Sequence, residues 1–260
     1  MATARSWDDR LADFSLMYPI LGSHVRRIGW LRTIAGGLPM YTCIPWLVIS
    51  HVTGAVATYQ WLLKPALGTE PVRWADHVII DRHRISGLSA FDKFNCMFCG
   101  YANGLCTMIN TELDHLAQRS GKLVWWAWPI LALAVPLQLL WLLCTELALQ
   151  LIYNLMVSRP LGMHRTSIAQ AAAVLRKGQW AGSQGPWARR LLRMHKNAWL
   201  RFSLALEQIE SSWCPLRHFE NRAGVVYPAH HARFFGPEQI EQMREVLSTT
   251  GTVSDRRPTW

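Results

Sequence analysis

A chain of 260 residues can hold one large domain or two small ones, and its formal net charge of +10 suits an anionic partner. Half of the residues are hydrophobic, yet the mean hydropathy is only +0.06, so apolar character is concentrated in segments beside polar ones. With long apolar runs present, that partner is read as a bilayer with anionic headgroups and not as nucleic acid, and six unevenly spaced Cys exclude a small disulfide-stapled secreted framework.

Residues 1–37 are predicted to be an N-terminal interfacial segment. Leu11, Phe14, Leu16, Met17 and Tyr18 precede the basic Arg26, Arg27 and Arg32, and no secretory signal is legible in this mixed-charge start. The pair Gly36-Gly37 punctuates the chain. Residues 38–63 carry no formal charge and exceed the roughly 20 residues that span a bilayer core, so they are read as a transmembrane helix closed by Lys64-Pro65. His51 within it is either a functional group or a neutral imidazole bonded to a neighbouring carbonyl.

Residues 64–122 form a Cys-motif loop and helix. The run His77-Val78-Ile79-Ile80-Asp81-Arg82-His83-Arg84 reads as a short strand, and Ser86, Gly87 and Ser89 read as turn residues. The spacing of Phe98, Tyr101, Leu105, Met108, Ile109 and Leu116 predicts a helix from about Cys96 to Gln118. Gly100 and Gly104 would let another backbone come close.

Residues 123–157 are a second transmembrane or re-entrant segment, interrupted among strongly polar types by Gln138, Glu146 and Gln150, with Asn154 near its end. Thirty-five residues would make about 52 Å of helix, beyond a ~30 Å hydrocarbon core. Either one tilted span overshoots, or Pro129 and Pro136 fold the run back. Residues 158–260 make a basic C-terminal domain. In it Pro186–Trp213 reads as an amphipathic helix with Trp187, Leu191, Met194 or His195, Ala198, Phe202, Leu206, Ile209 and Trp213 on one stripe, suited to an anionic membrane or a partner helix. Glu238–Leu247 is a short polar helix, followed by a disordered end. The fold class that follows is all-α: a helical integral membrane protein with one or two transmembrane or re-entrant segments and a basic amphipathic membrane-associated domain.

The chemistry is concentrated in two motifs. Cys96-x-x-Cys99 gives two thiols one helical turn apart, and Cys214-x-x-x-His218 gives a thiol and an imidazole four residues apart. Three Cys and one His form a familiar tetrahedral set for zinc, and mononuclear iron uses a similar one. The CxxC pair also suits a thiol redox couple, and all the thiols could be structural. Lys93 and Arg217 would favour the thiolates that a metal needs. The metal reading requires both motifs on one side of the membrane, which a single crossing by residues 123–157 would forbid. Charge does not decide it: seven Lys/Arg lie from Lys64 to Lys122 and nine from Arg159 to Arg201. Weaker sets are Glu112-x-x-His115 with Glu207 and Glu210, which suggests a di-iron bundle, and His77, His83, His230 and His231. No phosphate loop, nucleophile elbow or zincin motif is present.

The run Asp81-Arg82-His83…Asn95-Cys96-x-x-Cys99-x-Tyr101-x-Asn103-Gly104, with Trp213-Cys214-Pro215-x-x-His218, resembles a family of uncharacterised bacterial proteins over about a third of the chain. The resemblance implies association of the two motifs and a bacterial origin, hence the inner membrane, but no activity. In that family one helix joins the motifs, whereas here the run from Leu123 is interposed. The expected function is a membrane-bound metal-binding protein, a redox or accessory unit working with other subunits of a membrane complex. Alternatives are a zinc-stapled scaffold and a thiol oxidoreductase.

Overall fold

A computed structural model describes residues 19–67, 72–80, 88–119, parts of 125–162, 187–214 and Tyr227. Helix α1, Pro19–Ile28, ends at Gly29, whose φ of 81° and ψ of 161° fall in a region that a side chain would strain. That residue turns the chain into α2, Trp30–Ile49, which runs on as a π-helical stretch, Ser50–Leu63, and a last α-helical turn, Lys64–Leu67. Helix α3 covers Ala90–Arg119 and helix α4 covers Trp187–Trp213. The described residues are mostly helical and contain no strand, so the all-α expectation is met. The expected strand fails in its described part: residues 77–80 are irregular and follow a 3-10 turn at Trp74–Asp76.

Helix α2 begins eight residues before Leu38, and Gly36-Gly37 lies inside it instead of breaking it. Gly36 is there because a β-carbon would collide with the Val157 side chain, so glycine permits close packing of two segments. From Trp30 to Leu62 the helix is long and apolar enough to cross a membrane, and only 33% of its most apolar window is buried. Its inner face carries Met40, Cys43, Leu47, Ala55 and Tyr59, while Leu31, Ile34, Leu38, Trp46, Val52 and Trp61 stand exposed outside. A helix apolar on both faces does not match the half-polar pattern of a water-facing surface helix.

Side-chain pairs fix the directions of the helices. Tyr41 Oη donates to Asn95 Oδ1 (2.6 Å), His51 meets Tyr101, and Lys64 meets Glu112, so α3 runs parallel to α2. Cys99 meets Glu210 and Asp114 meets Lys196, so α4 runs antiparallel to α3. The described residues between 129 and 144 are helical, and Gln138 touches Gly54, Trp141 lies 6.1 Å from Trp46 between ring centroids, and Val157 reaches Gly36. These contacts descend α2 from residue 54 to residue 36, about 27 Å at 1.5 Å per residue. Antiparallel pairing of α3 and α4 puts Cys99 and Cys214 at the same end of that helix pair.

The core gathers Leu47, Phe98, Leu105, Met108, Ile109, Leu113, Trp199, Phe202 and Leu206. Helix α4 begins within a residue of its expected start, but its apolar stripe passes through His195, which is buried, and not through Met194, which is exposed. From Trp199 to Ser212 the described side chains are nearly all buried, Ser203, Glu207, Gln208, Glu210 and Ser211 included. This half of α4 is therefore a core helix, not one lying on an anionic surface. The readings of 1–18, 81–87, 163–186 and 215–260 apart from Tyr227 lie outside the described residues.

Candidate functional site

Helix α3 starts from a local box: Ser89 Oγ accepts the Asp92 N–H (3.1 Å) and donates to Asp92 Oδ2 (2.8 Å). That places Cys96 and Cys99 within the second and third turns, on a helix already committed. In α4 the helical ladder continues one residue past Trp213, with the Cys214 N–H bonding Glu210 O at 2.8 Å, before Pro215 ends it. The antiparallel pairing of 99 with 210 and 114 with 196 brings the CxxC turn beside the end of α4 that carries Cys214. Cys99 and Cys214 are buried and Cys96 is half-buried.

The Cys99 thiol donates to Glu210 Oε2 at 2.7 Å. Asn103 joins them: its amide donates to Cys99 O (3.1 Å), stands 3.7 Å from Cys99 Sγ, and makes a short bond to Glu210 Oε2. Its own Oδ1 is buried without a hydrogen-bond partner among the described residues. Each of these four positions reflects helical spacing, since Cys99 and Asn103 are one turn apart on α3 and Glu210 and Cys214 one turn apart on α4. Three thiols, a carboxylate and an orphaned carbonyl oxygen are donors that zinc or iron accepts. Among the described residues alone, no three His, Cys, Asp or Glu side chains lie together closely enough to hold a metal ion, and His218 is outside those residues. Lys93 is half-buried on the pair's own helix, three residues before Cys96, and Arg217 lies outside the described part.

One turn and more along α3, Cys106 sits under Glu207 and Glu210. Burial pushes its thiol well above the ordinary range, the two carboxylates add to that, and a hydrogen bond from Ser203 opposes it. Such a thiol stays protonated and behaves as a small core group.

A second polar cluster occupies the other end. Lys64 and Glu112, both buried, pair at 3.1 Å, and Gln60 bridges Glu112 (3.3 Å) and Val72 O (3.0 Å). Beside it, Trp199 Nε1 donates to His195 Nε2 at 3.1 Å. An indole can only donate, so the neutral imidazole keeps its proton on Nδ1 and points it at Tyr59 Oη, 3.2 Å away. Desolvation lowers the His195 pKa to about 3, holding the ring neutral.

The di-iron arrangement is not assembled. Glu112 is taken by Lys64 while Glu210 faces Cys99, and by the pairing register the two carboxylates sit about 20 Å apart. The histidine set is likewise divided: His77 bridges Arg73 O and Thr111, both at 3.2 Å, and His83, His230 and His231 lie outside the described residues. His51 bonds the Tyr101 hydroxyl at 3.1 Å and not a carbonyl of its own helix. Motif reading sets Glu210 in the di-iron group and Asn103 in the run after the cysteines, and neither beside the Cys99 thiol. The signal available was spacing: each stands four residues from a motif cysteine on a helix. No protein-family model, no curated protein and no solved structure matches this chain.

Proposed function

We propose that the chain is an integral protein of a bacterial inner membrane, crossing it with Trp30–Leu62 and again with the run ending near Val157. In this reading the protein binds one zinc or iron ion through Cys96, Cys99, Cys214 and His218, as a redox or accessory unit of a larger membrane complex. The observation that carries the reading is the antiparallel pairing of α3 and α4, which brings two cysteine motifs more than a hundred residues apart in sequence to one end of one helix pair. Support for the membrane comes from the exposed apolar outer face of α2. Trp30 and Trp61 stand near its two ends, about 46 Å apart at 1.5 Å per residue, close to the 40–45 Å of a bilayer with its headgroups.

Metal analysis of the detergent-purified chain tests this. About one zinc or iron per chain is expected, falling strongly in Cys96→Ser and in Cys214→Ser. A metal-free wild-type chain, or one whose metal content ignores both substitutions, overturns the proposal. Iron held by thiolate colours the protein, whereas stoichiometric zinc in a colourless protein marks a structural staple. A second reading, thiol redox exchange through Cys96 and Cys99, is favoured by the Cys99 bond to Glu210, since a carboxylate there can take up the thiol proton. It requires a metal-free chain whose Cys96–Cys99 disulfide forms reversibly.

A further inference from the structure

We infer that the turn between α1 and α2 is a headgroup site for an anionic phospholipid, in which Arg26, Arg27 and Arg32 hold the lipid phosphate. The inference rests on the membrane reading above and adds which lipid class the bundle selects, and where. Val25 and Ile28 are buried, and the buried His24 stacks on Trp213 of α4 with ring centroids 3.9 Å apart, so one face of α1 is pinned against the bundle. Arg26 and Arg27 leave by the other face and are exposed, and Arg32, in the first turn of α2, is exposed too. Each of the three stands within three residues of Gly29 in the chain, hence within about 5 Å of it along its own helix axis.

No described residue pairs with this charge. Residues 19–63 contain no Asp or Glu, and none of the three arginines makes an ion pair with a described residue. Lys64, Arg73 and Lys196, by contrast, each face a carboxylate, that of Glu112, Asp76 and Asp114 in turn. Helix α2 has no acidic residue in its first turn and no side-chain cap, so its dipole adds to the positive field. The turn is open as well, since a β-carbon built at Gly29 would find no atom within 4 Å. A phosphate can therefore reach it, and a guanidinium matches phosphate oxygens with two parallel hydrogen bonds.

Depth and neighbours select a lipid over a soluble phosphate or a nucleic acid. Trp30, at the head of the span, falls in the headgroup layer, so the three guanidinium groups lie at the level of the lipid phosphates. Beside them along α2, Leu31, Ile34 and Leu38 are 79%, 52% and 55% exposed. Acyl chains cover such a strip, whereas a polynucleotide or a free ion would leave it in water. One phospholipid satisfies both parts, with its phosphate on the arginines and its chains along the outer face of α2. A zwitterionic headgroup carries its own cation beside the phosphate, so the net attraction belongs to an anionic lipid.

The test follows thermal unfolding of the full-length protein in nanodiscs of phosphatidylcholine with increasing phosphatidylglycerol. Phosphatidylglycerol should raise the melting temperature of the wild type with a saturable dependence. Raising salt from about 0.1 M to 1 M should erase most of that gain, since the screening length shortens from ~10 Å to ~3 Å. Each of Arg26→Gln, Arg27→Gln and Arg32→Gln should weaken the apparent lipid affinity roughly fivefold, and the three together about a hundredfold. Lysine at all three positions should keep most of the affinity, because it keeps the charge. Arg73→Gln, at a paired arginine, is the control and should change nothing. A triple glutamine variant with the wild-type dependence on phosphatidylglycerol overturns the inference, and so does equal stabilisation by phosphatidylcholine alone. A wild-type gain reproduced by inorganic phosphate at matched ionic strength also overturns it, in favour of a soluble phosphate ligand. Should the triple variant fail to fold by circular dichroism, the three single variants decide on the same terms. A wild-type chain that stays soluble and monodisperse without detergent or lipid sinks the parent membrane reading instead.

Discussion

Replacing Gly104 by alanine should separate the 72–80 segment from α3. A β-carbon at Gly104 would meet the carbonyl oxygen of His77, Val78 Cα at 2.7 Å and the His77 carbonyl carbon at 2.9 Å, all of them backbone atoms that cannot rotate aside. Carbon atoms rest about 3.5–4.0 Å apart, so the segment must retreat by roughly 1 Å. That loosens the buried Val78 and strains the His77 bond to Thr111. Overpacking of this kind costs about 1–3 kcal/mol, against which alanine returns up to ~1 kcal/mol of helix propensity. Gly37 is the control. Its added β-carbon would find only Tyr41 Cε2 at 3.7 Å, ordinary contact, so Gly37→Ala should gain a few tenths to ~1 kcal/mol. Thermal unfolding in one detergent, followed by circular dichroism, should place Gly104→Ala below Gly37→Ala by roughly 3–10 °C at 2–4 °C per kcal/mol. Equal melting temperatures for the two variants would refute the close approach of segment 77–78 to α3.

Two further outcomes follow from the far cluster. Lys64→Ala leaves Glu112 buried and uncompensated and should cost about 3–5 kcal/mol, whereas Lys64→Met with Glu112→Leu should be close to neutral; a double-mutant cycle in denaturant checks both. His195 has a folded pKa of about 3, below the unfolded value near 6.5. Below pH 6.5 the unfolded chain takes up a proton that the folded one refuses, so stability present above that pH is lost as pH falls towards 3, by up to ~1.4 kcal/mol per unit. His195→Gln should flatten that part of the melting-temperature profile between pH 7 and 5, and an unchanged slope would contradict the assignment.

What the sequence makes legible is what depends on neighbours along the chain. The apolar face expected of α3 is the face that is buried, and α4 is bounded almost where Pro186 and Cys214-Pro215 suggest. The start of α3 is six residues earlier than expected because Ser89, read as a turn residue, closes a capping box with Asp92. Gly36-Gly37 looks like punctuation until Val157 occupies the gap, and a partner 120 residues away leaves no local trace. For the same reason Glu112 reads as half of an E-x-x-H motif, when the residue that fixes its role is Lys64 on another helix. Glu210 is hidden likewise: nothing near it in sequence announces Cys99. Parallel placement of α2 and α3 could not be read either, since it is set by Tyr41, His51 and Lys64 meeting partners about fifty residues away.

That parallel placement bears on how the protein is made. Helix α3 leaves the ribosome with its inward side chains, Asn103 and Asp114 among them, awaiting α4, which begins about 70 residues later. At 5–20 residues per second this is a wait of roughly 3–14 seconds. Throughout it, the α2 contacts of Tyr41, His51 and Lys64 and the 72–80 segment against Gly104 are what shield α3. A stop codon or a pause between residues 120 and 186 would therefore strand a half-built bundle with its cysteine turn bare, an apt target for proteolysis.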